Sequence, residues 1–511
     1  MAMAGRRAGA ASAALAGAGL SASLLLTGAA ARAQEAAAPR SLLEPSIAVT
    51  QTFTNNVDLT SESRAESITQ VTPSVHWDGH SAKIRGSVDY ALSAIYYARD
   101  GDRNQLQNAL RAALHAEPVE NRLTVDGYAA ISQQSISAYG VQNNTDVLDN
   151  GNRSEVRTLG IAPMYRAPLG SSADLTARLG WNGTQTSSAA AGDSQDFNAL
   201  VALAGGRGVL RWGVDLSRQV NDYKAGRRTT DDRATASLAY LPVPEWRLSL
   251  RGGAEREDVL TGSFDTRGTW GASIDWRPSE RTQLTVETDR RYFGNSHRLS
   301  FQHRTGRTIW RYTDTRGVVG DTSGASQTRP PTVYELLYEQ FASSFPDPTL
   351  RDRAVRSFLV QNGLDPNSRV TGGFLSNALS LERARTASVA LLGVRSTVTL
   401  TAFQTSTRRV DEASNATDDL SLAGEVRQFG FAASLSHRLT PAASLAATAA
   451  LQRTLDSDVE AGNLTRTYML VWSSSLGPRS SGSLGVRRAV SSSRSSPYNE
   501  SALFGTFALR F

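Results

Sequence analysis

The chain contains no cysteine in its 511 residues, which excludes disulfide staples and thiolate metal sites. Histidine is scarce too. His76, His80, His115, His297, His303 and His437 are all there are, and none sits in an HExxH or comparable spacing, so zinc chemistry has no local signature. There is no Gly-x-Ser-x-Gly elbow and no nucleotide cradle; "AGGRG", ending at Gly208, reads as a turn. A Ser–His–Asp group assembled in space is the catalytic option that the sequence leaves open. Lysine occurs only as Lys83 and Lys224, so arginine carries nearly all the positive charge. The net charge of +6 falls by three if Arg6, Arg7 and Arg32 leave with a cleaved leader, and a balance that small does not argue for nucleic acid. Beyond the first 33 residues no apolar run approaches the roughly 18 that a membrane helix requires.

What is present begins with that leader. Arg6 and Arg7 precede an Ala/Leu/Gly run over Ala10–Ala29, and "ARA" at Ala31–Ala33 fits a small-x-small cleavage site, so 1–33 reads as a secretory signal peptide. A lead at 34–44 is expected to lie in the periplasm. From Pro45 to Phe511 one signal repeats. In "KIRGSVDYALSAIYY", Ile84, Gly86, Val88, Tyr90, Leu92, Ala94 and Tyr96 share one face, while Lys83, Arg85, Ser87 and Asp89 share the other. Leu175, Ala177, Leu179 and Trp181 likewise oppose Asp174 and Arg178, and Trp246, Leu248 and Leu250 oppose Arg247 and Arg251. Period-two alternation places one face in an apolar medium and the other in a polar one.

The connections alternate as well. Turn-like stretches at 78–81, 117–121, 167–172, 205–208, 242–245, 278–281 and 440–443 separate longer polar loops at 55–66, 134–152, 184–195, 221–231, 257–267, 407–424 and 454–464. Short turns on one side and long loops on the other belong to outer-membrane barrels. Trp77, Trp212, Trp246 and Trp276 fall beside short turns, where an interfacial girdle would lie. The expected fold is all-β: a transmembrane, antiparallel up-and-down β-barrel of about 22 strands, with 18–24 as the range. Its last strand carries Leu503, Phe507, Leu509 and Phe511 on one face. This resembles the C-terminal signal by which barrels are recognised for insertion, and it implies outer-membrane lipid and the barrel-assembly machinery as partners. The alternating polar set, Lys83, Arg85, Asp89, Asp174, Arg178, Arg247 and Arg251, with Glu287 and Asp289, is expected to line the lumen.

One segment, 316–369, breaks the pattern. "PPTVYELLYEQFASS" sets Val333, Leu336, Leu337 and Phe341 at helical spacing, and the next stretch does the same with Val355, Phe358 and Leu359. Two short amphipathic helices within a barrel sequence suggest a plug, a lid, or an insertion without a gating role.

The run "VYELLYEQFASSFPDPTLRDRAVRSFLVQNGLDP" (333–366), with "ISQQSIS" (131–137), "NRSEVRTLGIAPMYR" (152–166) and "PSIAVTQTFTNNVDL" (45–59), resembles the outer-membrane barrel family of the PEP-CTERM/exosortase system. The resemblance implies an outer-membrane location and a part in moving polysaccharide or sorted proteins, with no catalytic residues to carry over. The expectation is a non-enzymatic pore or export channel for exopolysaccharide, without cofactor or metal. The alternatives are a structural barrel that binds extracellular polysaccharide without transport, and a barrel enzyme acting on lipid or polymer.

Overall fold

The computed structural model describes residues 40–142, 145, 147–148, 151–188, 192–320, 338, 351, 374–413, 418–494 and 496–511. Strands β1 (Arg40–Thr54), β2 (Glu66–His80), β3 (Ile84–Tyr97), β4 (Gln105–Val119), β5 (Leu123–Ser135), β6 (Arg153–Leu169), β7 (Ala173–Thr186) and β8 (Ser194–Gly205) are followed by β9 (Leu210–Tyr223), β10 (Arg228–Tyr240), β11 (Trp246–Glu257), β12 (Asp265–Ser279), β13 (Thr282–Arg291) and β14 (Gly294–Arg304). Next come β15 (Thr308–Val319), β16 (Ser380–Leu392), β17 (Ser396–Arg409), β18 (Glu425–Arg438), β19 (Ala443–Thr454), β20 (Asn463–Ser475), β21 (Ser480–Ser491) and β22 (Tyr498–Arg510). A 3-10 turn at Gly101–Arg103 and one short helix, α1 (Asp419–Ala423), are the other regular elements named among the described residues.

All 22 strands form a single sheet. Each pairs antiparallel with its sequence neighbours, and β1 also pairs with β22, joining Thr54 to Ala502 and Ser46 to Arg510. The sheet is therefore a closed ring, which leaves no strand edge facing hydrocarbon, where each unpaired backbone group would cost several kcal/mol. Weakly patterned stretches such as 195–204 and 297–305 still form strands, β8 and β14, because both neighbours supply ladder partners.

The alternation sorts the two faces as expected. Leu179, Leu216, Leu250, Phe431, Leu484, Leu503 and Phe507 are exposed on the outside of the ring, and their sequence neighbours point inward. No helix among the described residues is long and apolar enough to cross a membrane. Trp212, Trp246, Trp310 and Trp472 lie outward near the short-turn ends, and Trp246 stacks on Trp276 at 5.7 Å. This places an aromatic girdle at that interface. On the inner face, Gly430 and Gly485 permit close approach: the ring of Phe403 lies over the first and that of Phe504 over the second. A Cβ at either glycine would meet the ring at 2.2 or 2.3 Å.

Two boundaries move. β1 begins at Arg40, inside the expected 34–44 lead, because β2 continues to His80 and offers partners down to Arg40. β15 runs on to Val319, so 316–319 are paired with β16 and do not belong to the insert. Of the insert, only Tyr338 and Arg351 are described; both are helical, and the Arg351 guanidinium sits 4.9 Å from the Tyr338 ring centroid. Val333, Leu336, Leu337, Phe341, Val355, Phe358 and Leu359 lie outside the described residues, as does the 1–33 leader.

Candidate functional site

Ring closure at this strand number encloses more cross-section than wall side chains fill. What lines and caps that space is the candidate site. Inward positions on β9 to β13 carry an ion-pair ladder. The Arg251 guanidinium on β11 contacts Glu287 and also reaches Asp289 at 2.5 Å, both on β13. Arg291 on β13 holds Asp231 of β10 at 2.6 Å and contacts Glu255 of β11. Arg233 on β10 stands 3.8 Å from Asp289. Glu255 is 1% exposed and Asp289 8%, so these charges are compensated within the wall. Inward positions on β17 to β20 are different. They carry hydroxyls and small groups, including Thr401, Thr407, Ser436, Ser444, Thr454, Thr465, Thr467 and Ser473, all buried.

The sequence-derived lumen set divides accordingly. Arg251, Glu287 and Asp289 meet in one cluster. Asp89 accepts from or pairs with His76 at 2.7 Å, and Arg247 stands opposite Asp275 in the ladder register. Arg178 lies inward between Met164 and Leu200. Arg85 and Asp174 are exposed near the short-turn rim. Lys83 is not on a strand: it occupies the β2–β3 turn, where its carbonyl accepts from Glu117 N at 2.7 Å. The alternation in "KIRGS" runs one residue past the point where pairing stops, and a turn residue has no assigned face.

The long-loop mouth is spanned by the chain itself. The 136–152 segment joins β5 to β6, yet Thr454 Oγ1 and Asn463 Nδ2, from β19 and β20 on the far side of the ring, donate to Ala138 O at 3.0 and 3.1 Å. Tyr498 OH donates to Gln142 O at 2.6 Å, and Tyr97 OH to Val147 O at 2.7 Å. Helix α1 is the hub of this lid. Its Asp419 carboxylate accepts from Ala138 N at 2.6 Å and Ser137 Oγ at 3.0 Å. The capping Asp418 accepts from Ser421 N, Asn377 N and Ser376 Oγ, and also from Arg409. Apolar residues pack beneath: Val57, Leu59, Ile68, Ile95, Tyr97, Val147 and Leu148 form one cluster, and Ala138, Tyr139, Leu420 and Val426 another.

Two loop carboxyls respond to these surroundings in opposite directions. Burial pushes Asp419 above the ordinary carboxylate range, against the bonds from Ala138 and Ser137. The bidentate Arg64 guanidinium holds Asp58, in the β1–β2 loop, below it.

With this geometry in hand, the chain was compared with known proteins. No family model matches it, and no curated protein does. Solved structures do match. The FrpB iron transporter from Neisseria meningitidis is 9% identical, with 92% of this chain and 82% of that one covered and a TM-score of 0.47. The siderophore receptor PirA from Acinetobacter baumannii is 8% identical, with coverage of 92% and 80% and a TM-score of 0.44. A mutant ferric enterobactin receptor from Pseudomonas aeruginosa, solved with enterobactin, is 10% identical, with coverage of 92% and 81% and a TM-score of 0.45. These neighbours are transport receptors by name, not enzymes. None is a PEP-CTERM-associated barrel.

Sequence reasoning looked to 316–369 for a plug or lid and read 134–152 only as a long polar loop. The signal was faint: "SAYGVQNNTDVLDNG" (137–151) is longer than a simple strand connection needs and carries Tyr139, Val141, Val147 and Leu148 in an otherwise polar loop. Among the described residues no cluster of three or more His, Asp or Glu is placed to hold a metal ion.

Proposed function

We propose that the protein is a gated outer-membrane conduit for hydrophilic material, with polysaccharide as the first substrate class to test. The observation that carries this reading is the pairing of a largely polar lumen wall with a loop at the outer mouth that is held by hydrogen bonds from across the ring. A barrel that only anchors the surface needs neither. The balanced ion pairs on one wall and the hydroxyls on the other favour a neutral or weakly charged, hydroxyl-rich solute over a strongly anionic one, since the inward arginines at Arg251 and Arg291 already hold carboxylates. The link to a PEP-CTERM system rests on sequence resemblance alone.

The test is conductance and solute uptake in planar bilayers and liposomes. Three forms are compared: the intact chain, a form with 138–148 replaced by a short Gly/Ser loop, and a form with 320–373 so replaced. The intact chain is expected to be closed and the 138–148 form to conduct. Uptake arms with a neutral oligosaccharide, an anionic oligosaccharide and a ferric chelate then rank substrate classes. Silence in all folded forms would transfer the protein to the structural reading.

A further inference from the structure

The outer face of the barrel carries a feature that a conduit does not require. On β15, β16 and β17 the outward residues form successive rungs. The lowest are Trp310, Val389 and Leu400, then Tyr312, Ala387 and Ala402. The next rung is Asp314, Arg385 and Gln404, and above it stand Arg316, Arg383 and Ser406. The lower rungs are lipid-facing surface, with Trp310 and Tyr312 exposed. In the upper two, Asp314 accepts from Arg383 at 2.9 Å and from Arg385 at 3.3 Å, His297 adds a ring nitrogen at 2.9 Å, and the third guanidinium, Arg316, donates to the Asn295 carbonyl.

Single outward charges occur at this height elsewhere, as in the Arg218–Asp232 pair of β9 and β10, but here three arginines share two adjacent rungs. Arg385 lies seven residues above Leu392 at the foot of β16, a climb of about 18 Å for a tilted strand, within a lipid-facing band ~25 Å tall. Phe431 on β18 and Leu503 on β22 stand the same seven residues above Arg438 and Arg510. The sector therefore concentrates arginine on the lipid-facing side. It has also done so against its own electrostatics. Arg316 and Arg383 are directly opposed across the β15–β16 ladder, an arrangement that destabilises a sheet. Arg383 and Arg385 keep 41% and 39% of their side chains exposed.

We propose that the Arg316–Arg383–Arg385 patch is a binding site for the phosphorylated headgroup of an outer-leaflet lipid, with the acyl chains lying along Trp310, Tyr312 and Phe301. A phosphate dianion offers bidentate acceptors to planar guanidiniums and removes the Arg316–Arg383 repulsion. The lipid, rather than a free anion, is the ligand because the apolar rungs continue directly below the charges. The inference rests on the barrel's membrane location and is independent of what passes through the lumen.

The test is native mass spectrometry of the refolded full barrel in detergent, titrated with bisphosphorylated lipid A, the same lipid after phosphatase treatment, and inorganic phosphate. Heat-modifiable gel migration confirms folding. The native chain is expected to retain one phosphorylated lipid, the R383Q/R385Q form to bind it about tenfold or more weakly, and R157Q, an outward arginine on β6, to bind as the native chain does. If R383Q/R385Q does not fold, R316Q carries the test. Equal binding by the patch variant, equal retention of the dephosphorylated lipid, or competition by inorganic phosphate at similar concentration would each overturn the proposal.

Discussion

The two walls of the lumen solve the same problem by different chemistry. From β9 to β13 the inward positions include arginines and carboxylates locked into pairs; from β17 to β20 threonine, serine and small residues predominate, beside Phe403, Gln428 and Gln452. Both keep the interior polar while their outward neighbours face lipid. The charged wall is stiff and interdependent, since each buried ion exists only with its partner. The hydroxyl wall is made of separate, weakly coupled groups that can exchange bonds with a passing solute. A charge count from sequence would make the first wall a selectivity element. Its geometry makes it a brace.

The comparison breaks most visibly at Arg291. Arg291→Ala leaves Glu255 and Asp231 buried without their cation, and unfolding in micelles should show a loss of about 3–5 kcal/mol. A loss below 1 kcal/mol would mean that the ladder is solvated and the contrast false. Gly430→Ala strikes the opposite wall through packing. Its Cβ would meet both the Phe403 ring and the Leu451 carbonyl oxygen, and about 1–3 kcal/mol is expected in the same assay, of which Phe403→Ala in the Gly430→Ala background should relieve only the ring's part. Ser444→Ala removes one hydroxyl bond, to Ser473 at 3.0 Å, and should cost about 1 kcal/mol or less.

The smallest effect is on pH, and it separates the loops rather than the walls. Burial raises Asp419 in the closed lid, so closure is favoured below the ordinary carboxylate range and loses that support as pH rises through the raised value. Asp58 is held down by Arg64, so the 55–65 loop is supported above that range and weakens as pH falls through the lowered value. Hydrogen exchange should therefore show protection growing at 137–140 as pH falls from 7 towards about 4, and protection shrinking at 55–65 only once pH falls below that range. Asp419→Asn should abolish the first trend alone.

Much of this fold was legible because it repeats. Alternation in "SVDYALSAIYY" shows which residues face lipid, and the rhythm of short and long connections points to about 22 strands within a range of 18–24, the number the closed sheet has. Leu503, Phe507 and Leu509 fall on the outward face of β22, and Phe511 follows its last residue, exposed. The lid was illegible for a physical reason: Ala138 is held by Thr454 and Asn463, partners that only ring closure brings near, and no local pattern encodes them. The same holds for Arg251, whose inward direction follows from its neighbours but whose partners, Glu287 and Asp289, lie two strands away. The lipid-side arginines were overlooked because alternation leads one to assign every charge to the lumen.

The junction of β1 with β22 has a kinetic consequence. It unites residues 46–54 with 502–510, so no local segment can form it early. The entropy of closing a loop grows only as the logarithm of its length, but here the loop is nearly the whole chain, and every other hairpin can form first at lower entropic cost. Assembly should therefore end at this seam, and the time to a sealed barrel should be set by the meeting of these two strands, not by the formation of any hairpin.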